Sequence, residues 1–149
     1  MPAQLNRYGD AVTTSREERL HNVTEATSDR KSEVGVVLDF EQRPWGSWQV
    51  IDVADGYKIK RIHVNPGARL SLQTHEHRSE HWVVIRGEAT CEVDGVVTIV
   101  RHDQSIDVPL GARHRLGNQG TEELVIVEVQ LGAYTGEDDI CRYEDDYGR

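Results

Sequence analysis

Four side chains able to bind a metal ion occupy two short stretches of the chain. They are Gln73, His75 and Glu80 in the first stretch, and His114 in the second. Imidazole, carboxylate and amide oxygen form a borderline-to-hard donor set that suits Zn²⁺, and also Mn²⁺, Fe²⁺, Co²⁺ or Ni²⁺. We therefore expect one divalent metal per chain, and this donor set leaves its identity open among these ions.

Short strands joined by tight turns would position these donors. Side chains alternate between the two faces of a strand, so Gln73 and His75 point the same way. A turn brings Glu80 beside them, and His114 approaches from another strand. His77 is two residues after His75 and would lie on the same strand face, so it is the alternative ligand, held in reserve to the four above. Clustered histidines also arise as surface or packing residues, but the two-part spacing favours a metal site.

The segments around these residues predict an all-β fold. From Trp48 onward, β-rich runs alternate with turn signals such as Asp55-Gly56 and Asp94-Gly95, which is typical of a sandwich or barrel. The predicted strands are 48–53, 57–64, 69–75, 80–86, 89–93, 96–101, 106–108, 113–116 and 124–131. A further edge strand is predicted within residues 34–40.

The two ends of the chain differ from this middle part. Residues 1–40 are polar and predict an N-terminal arm, partly disordered or helical, before a single domain over residues 41–149. The acidic, tyrosine-rich segment 132–149 is too apolar for a solvated tail, so we expect it to fold back over the barrel. Leu70 and Leu72 are predicted to face away from the metal, where the arm or a second subunit would cover them. We therefore expect a homodimer.

Charge and composition exclude several functions. The formal net charge is −9, which argues against nucleic-acid binding. Residues 58–115 nevertheless carry 9 Lys and Arg against 7 Asp and Glu, so a locally positive cleft is compatible with an anionic ligand. No apolar run reaches the roughly 20 residues of a membrane helix, and no signal segment is evident. We predict a cytoplasmic protein with no membrane contact, whose Cys91 and Cys141 are reduced thiols.

The two-part spacing resembles the cupin superfamily, with Gln73 in place of the usual first histidine. Longer motifs are similar to type II mannose-6-phosphate isomerase over roughly residues 41–149. The matching segments are Arg43-Pro44-Trp45-Gly46-Ser47, residues 66–73, His75, Arg78, residues 80–84, Gly87, residues 114–116, Gly136-Glu137-Asp138-Asp139-Ile140, Arg142 and Tyr147-Gly148-Arg149. The resemblance implies a cupin jelly-roll β-barrel, a divalent metal (usually zinc), and interconversion of mannose 6-phosphate and fructose 6-phosphate.

The resemblance also implies roles for individual residues. It assigns the ligand roles to Gln73, His75, Glu80 and His114, and motif position gives Lys60 and Arg142 places beside the substrate. The phosphate needs cations, for which Arg142, Arg149, Lys60 and Arg69 are the candidates. Asp138, Glu137 and His77 remain alternatives for the base that moves a proton between C1 and C2.

Other functions remain open at this level. In the related family this domain often follows a mannose-1-phosphate guanylyltransferase domain, and we expect no transferase activity from the present sequence. One rival is a non-catalytic cupin that binds a sugar phosphate or a nucleotide sugar. Another is a different metal cupin enzyme, either an epimerase or an oxygenase. The tail motif favours the isomerase, because a generic cupin does not need it.

Overall fold

The computed structural model describes residues 37–149, and the predicted N-terminal arm lies almost wholly outside them. The division into arm and domain therefore stays a prediction. The described residues form eleven strands and no helix. The strands are β1 (Asp39–Arg43), β2 (Gly46–Ala54), β3 (Tyr57–Val64), β4 (Leu72–Thr74), β5 (Ser79–Arg86), β6 (Glu88–Val93), β7 (Val96–Arg101), β8 (Ser105–Val108), β9 (His114–Gly117), β10 (Leu124–Leu131) and β11 (Cys141–Glu144).

These strands make two antiparallel sheets. The first has six strands in the order β1-β2-β3-β10-β5-β8, and the second has five in the order β11-β4-β9-β6-β7. Consecutive strands repeatedly cross from one sheet to the other, as in a jelly roll. The all-β jelly-roll prediction is therefore confirmed. No helix in the described part of the chain is long and apolar enough to cross a bilayer.

The register of the six-stranded sheet arranges its inward side chains in rows. Trp48, Ile62, Ile126 and Val84 lie directly opposite one another across four strands. The next row is Val50, Lys60, Glu128 and Trp82, and the row beyond is Lys58, Gln130 and Glu80. The interior is thus apolar at one end and polar at the other.

The apolar rows belong to the core of the domain. Its larger buried members include Trp45, Trp48, Ile62, Leu116, Leu124 and Ile126. Burial of such side chains stabilises the fold by about 1.5–3 kcal/mol each. The polar rows lie at the edge of this core, so the surrounding apolar residues fix the position of groups that would otherwise be hydrated. Both cysteines are free thiols, as expected, with Cys91 buried and Cys141 exposed.

The C-terminal segment is part of the barrel. Its strand β11 pairs with β4, placing Arg142 opposite Gln73, and Tyr147 packs against the apolar core. The prediction that residues 132–149 fold back over the barrel is confirmed.

One local prediction was wrong. The strand expected over residues 69–75 is regular only from Leu72 to Thr74, and Arg69 makes an isolated bridge to Gly117. Side-chain alternation therefore does not extend back to Leu70, which packs against the core instead of facing outward. The argument for a dimer from Leu70 loses its basis, and the homodimer stays a prediction.

Candidate functional site

Three predicted ligands meet inside the polar end of the barrel. His75 Nε2 lies 3.1 Å from Glu80 Oε1 and 3.1 Å from His114 Nε2, and His114 Nε2 lies 3.6 Å from Glu80 Oε2. All three side chains are buried, and their ligand atoms lie within 4.8 Å of one another. They come from β5, from β9 and from the loop after β4, which the two sheets bring together.

Backbone contacts place a proton on the same nitrogen of each imidazole. His75 Nδ1 lies 2.6 Å from the carbonyl oxygen of Asp139, and His114 Nδ1 lies 2.9 Å from that of Ala112. A carbonyl oxygen only accepts, so each Nδ1 must carry a proton, and each Nε2 is left to coordinate. The Arg78 guanidinium also borders this set, with Nη2 3.2 Å from His75 Nε2 and Nε 3.0 Å from Glu80 Oε1. The residues present fit a divalent metal.

Gln73 adjoins this group. Its Nε2 lies 3.3 Å from His75 Nε2, and its Oε1 accepts a hydrogen bond of 2.8 Å from Ser71 Oγ. The structure therefore places Gln73 beside the other three predicted ligands, with its amide nitrogen towards His75 and its oxygen bonded to Ser71.

Two neighbours orient Glu80. Its Oε1 accepts a hydrogen bond from Arg78 Nε at 3.0 Å, and its Oε2 accepts one from Trp82 Nε1 at 3.0 Å. Burial by itself raises the pKa of Glu80, but hydrogen bonding to His75 and the charges of His114 and His75 outweigh burial and hold this pKa well below its usual value. Burial lowers the pKa of His114. Both shifts favour the forms that bind a metal, a carboxylate and a neutral imidazole.

Asp139 in the C-terminal segment holds the loop that carries His75. Its carboxylate accepts backbone N–H bonds from Glu76 at 2.9 Å and His77 at 3.0 Å, while its carbonyl accepts the His75 Nδ1 proton. Sequence reasoning missed this role. Asp139 lies in the tail motif, but nothing in its spacing from residue 75 shows the contact.

His77 is not part of the metal group, so the reserve assignment is wrong. Its side chain is 56 % exposed, and its Nδ1 contacts Asp139 Oδ1 at 3.2 Å. Residues 76 and 77 form a bend rather than a continued strand, and the parity argument fails there.

A cavity extends from Gln73 to a group of arginines. Its volume is about 90 Å³, and its wall includes Gln73, Arg78, Glu128, Arg43, Arg142 and Arg149. Burial and the positive charges of Arg149 and Arg43 lower the pKa of Arg142. Arg43 holds Glu41 and Arg149 holds Asp145, whereas Arg142 has no carboxylate within ion-pair distance among the described residues. Arg43 was missed because its hairpin position gives no sign of the cavity.

Lys60 and Glu137, two of the predicted catalytic residues, also line the cavity. Lys60 Nζ forms an ion pair of 2.5 Å with Glu137 Oε1 and lies 4.0 Å above the Trp48 ring. Burial raises the pKa of Glu137, but the charge and hydrogen bond of Lys60 exceed this effect, and the net pKa is lowered.

The structure does not bring two other predicted residues to this cavity. Asp138 accepts a hydrogen bond from the Tyr134 hydroxyl and lines a separate surface hollow with His77. The backbone turns between Gly136 and Ile140, so Glu137 faces inward and Asp138 outward. Arg69 lies outside the cavity wall, where it forms a bidentate pair with Asp146 at 2.7 and 3.0 Å.

Two further polar residues of the wall, Glu128 and Gln130, come from β10. Glu128 accepts hydrogen bonds from Trp82 Nε1 at 3.2 Å and from Gln130 Nε2 at 2.8 Å. Burial, with the charge of Glu80, raises the pKa of Glu128 to about 8. The sequence Leu-Val-Ile-Val-Glu-Val-Gln-Leu already indicated an unusual site, because two polar residues share one face of an otherwise apolar strand.

Solved structures with the same architecture define the class. A double-stranded β-helix protein from Klebsiella pneumoniae is similar at a TM-score of 0.57, with 25 % identity over 64 % of this chain and 77 % of its own. The capsular polysaccharide assembling protein CapF from Staphylococcus aureus gives a TM-score of 0.63 at 18 % identity, covering 71 % of this chain and 34 % of its own. The domain is a cupin.

Sequence comparison narrows this class to one family. The profile described as "Mannose-6-phosphate isomerase C-terminal" matches residues 31–145, and the chain belongs to that family. Xanthan biosynthesis protein XanB of Xanthomonas campestris is 44 % identical over 94 % of this chain and 31 % of its own length. Mannose-1-phosphate guanylyltransferase of Escherichia coli is 49 % identical over 72 % of this chain and 22 % of its own. The chain thus spans less than a third of these relatives' length.

Proposed function

We propose that this chain is a metal-dependent aldose–ketose isomerase that interconverts mannose 6-phosphate and fructose 6-phosphate. The supporting observation is a cavity whose wall carries both Gln73, which adjoins the His75 imidazole, and a group of arginines. A sugar phosphate has matching ends, a carbonyl group and a phosphate. The names of the xanthan, alginate and guanylyltransferase relatives favour a role in GDP-mannose and polysaccharide synthesis. A cytoplasmic location is part of the same proposal.

Binding and orientation of the phosphate fall to the arginines. Among residues 37–149, Arg142 has no carboxylate within ion-pair distance. It lies opposite Gln73 in the strand register, so a phosphate bound to it would lie in the cavity that Gln73 lines. Arg149 and Arg43 add positive charge to the wall. Each is already paired with a carboxylate, so each would contact that carboxylate and the phosphate together. Planar guanidinium groups suit bidentate contact with phosphate oxygens.

Gln73, His75, Glu80 and His114 would hold the metal, whose Lewis acidity would polarise the sugar carbonyl. Isomerisation also requires transfer of a proton between C2 and C1. We assign this transfer to Glu137, since Asp138 and His77 lie outside the cavity. The ion pair with Lys60 holds the Glu137 carboxylate in place and keeps it ionised.

A coupled assay of fructose 6-phosphate formation from mannose 6-phosphate tests this proposal. The zinc-loaded full chain should turn over the substrate, and chelation should abolish turnover until metal is restored. Arg142→Ala should lower kcat/KM by at least about 100-fold, the loss of a charge-assisted contact worth some 3 kcal/mol. Arg101→Ala is the control, because Arg101 is exposed and paired with Glu88 on β6.

The assay also separates the proposal from its rivals. A metal-loaded chain that binds mannose 6-phosphate without converting it would instead support a non-catalytic cupin. Full activity after complete removal of metal would contradict the metal-dependent mechanism.

A further inference from the structure

Two buried polar atoms on the cavity wall have no hydrogen-bond partner. They are the donor Trp45 Nε1 and the acceptor Gln130 Oε1. Within residues 37–149, the other buried side-chain atoms in this state are Gln49 Oε1 and Arg115 Nε, and neither residue lines the cavity. A buried donor or acceptor left unpaired costs about 1–3 kcal/mol, so its persistence calls for an explanation. A bound ligand would supply the missing partners.

Neighbouring contacts fix the side chain of Gln130 and the backbone of Trp45. Gln130 Nε2 donates to Glu128 Oε2 at 2.8 Å, and the other oxygen of that carboxylate accepts the Trp82 indole proton. This contact leaves the amide oxygen of Gln130 without a partner among the described residues. The backbone of Trp45 is equally fixed, since its carbonyl accepts the N–H of Asn65 at 2.9 Å.

The two residues lie near different ends of the strands that form the cavity wall. Gln130 lies directly across from the metal-group residue Glu80 in the strand register. Trp45 lies at the end of the hairpin that carries Arg43, one of the arginines on the wall. A sugar phosphate stretched between these ends carries hydroxyl groups on its middle carbons, and each hydroxyl both donates and accepts hydrogen bonds.

We propose that Gln130 and Trp45 recognise hydroxyl groups on the carbon chain of the sugar phosphate, with Gln130 Oε1 accepting and Trp45 Nε1 donating. This inference rests on the proposed function, because it takes a hexose phosphate as the occupant of the cavity. It makes the cavity selective for a polyhydroxylated phosphate over an alkyl phosphate of equal length. A ligand without hydroxyls would leave both buried atoms unpaired.

Calorimetric titration of the zinc-loaded full chain tests this selectivity. The probes are mannitol 1-phosphate, an open-chain hexitol phosphate that cannot isomerise, and hexyl phosphate, which has the same chain length without hydroxyls. The wild type should prefer the hexitol phosphate. Trp45→Phe retains an aromatic ring but removes the N–H, and should weaken hexitol phosphate binding about five- to tenfold while leaving hexyl phosphate binding unchanged.

Gln130→Leu should reduce the preference by a similar factor, and Gln49→Leu is its matched control. Gln49 also has a buried, unpaired Oε1 but lies outside the cavity, so its replacement should leave both affinities unchanged. Because Gln130→Leu removes a donor from Glu128, its melting temperature is measured alongside, and Trp45→Phe supplies the test if this variant fails to fold.

The outcomes separate this inference from the function on which it rests. A wild type that prefers the hexitol phosphate, with variants that retain the full preference, would overturn the inference and leave the proposed function intact. A wild type with equal affinity for the two probes would overturn the inference, and its activity on mannose 6-phosphate would then decide the proposed function separately.

Discussion

Asp139→Ala should destabilise the protein and weaken its metal binding together, because one carboxylate holds the loop of a metal ligand. That carboxylate is almost fully buried and accepts two backbone N–H bonds, from Glu76 and His77. A hydrogen bond to a charged group contributes about 1.5–3 kcal/mol. The lower value applies here, since a loop opened by the substitution admits water, and the expected loss is about 3 kcal/mol. For a protein of this size, this corresponds to a fall in melting temperature of about 10 °C.

Asp138→Ala is the matched control. The two residues are adjacent, but the side chain of Asp138 contacts the Tyr134 hydroxyl at the surface. Its replacement should change the free energy of unfolding by less than about 0.5 kcal/mol. Zinc affinity, measured by competition with a chromogenic chelator, should fall roughly 10- to 100-fold for Asp139→Ala, as for other residues that orient metal ligands. Asp138→Ala should bind zinc like the wild type.

The difference in stability between the wild type and Asp139→Ala should also depend on pH. Burial raises the pKa of Asp139, but hydrogen bonds from the Glu76 and His77 backbones and from the His77 side chain exceed this effect, and the pKa is lowered on folding. A lowered carboxyl pKa adds stability above the unfolded value, about 3.9, and this stability is lost as pH falls through the folded value. The difference between wild type and Asp139→Ala should therefore be full at neutral pH and shrink in acid. Equal melting temperatures for the Asp138 and Asp139 variants would refute the reasoning.

Three further outcomes are expected. Gly46→Ala should lower the free energy of unfolding, measured in urea, by more than about 3 kcal/mol. The new Cβ would lie 1.9 Å from the His63 carbonyl oxygen, at a φ of +148°. Gly56→Ala is the control, because no atom lies within 4 Å of its Cβ position, and it should lower the same free energy by about 1–2 kcal/mol. Burial and the charge of Glu80 raise the pKa of Glu128 to about 8, so the stability contributed by its protonated form is lost as pH rises from roughly 4.3 towards that value. Chelated Glu128→Gln should lack this loss. Zinc at 100 times its Kd should raise the free energy of unfolding by about 2.7 kcal/mol, an increase that Glu80→Gln should abolish.

Most of the fold was predictable because its signals are local. Period-two hydrophobicity and the Asp-Gly turns gave the positions of β2, β3, β5 to β8 and β10 to within two residues. The metal group was predictable for the same reason, since strand parity joins Gln73 to His75. The link to His114 came from the two-part spacing and from the resemblance, since no local pattern provides it.

The missed residues depend on contacts between distant segments. Asp139 contacts the loop of residues 75–77, and Arg43 lines the cavity from the β1–β2 hairpin. The spacing of residues in the sequence predicts neither contact. The prediction that His77 lies on the same face as His75 did not hold, because the chain bends at residues 76 and 77. Glu128 and Gln130 are different, since their inward positions on an apolar strand were visible in the sequence and called for partners across the barrel.

The C-terminal segment makes the two ends of the cavity interdependent. Asp139 holds the loop that carries His75. Only three residues later, Arg142 lies on the cavity wall without a carboxylate partner among residues 37–149. Between these positions the segment is fixed by pairing with β4, where Arg142 lies opposite Gln73. A perturbation that detaches this segment would therefore displace a metal ligand's support and the principal phosphate contact at once. Loss of metal affinity and loss of phosphate affinity should accompany each other in variants of this segment, whereas substitutions on β10 should affect the carbon chain of the ligand alone.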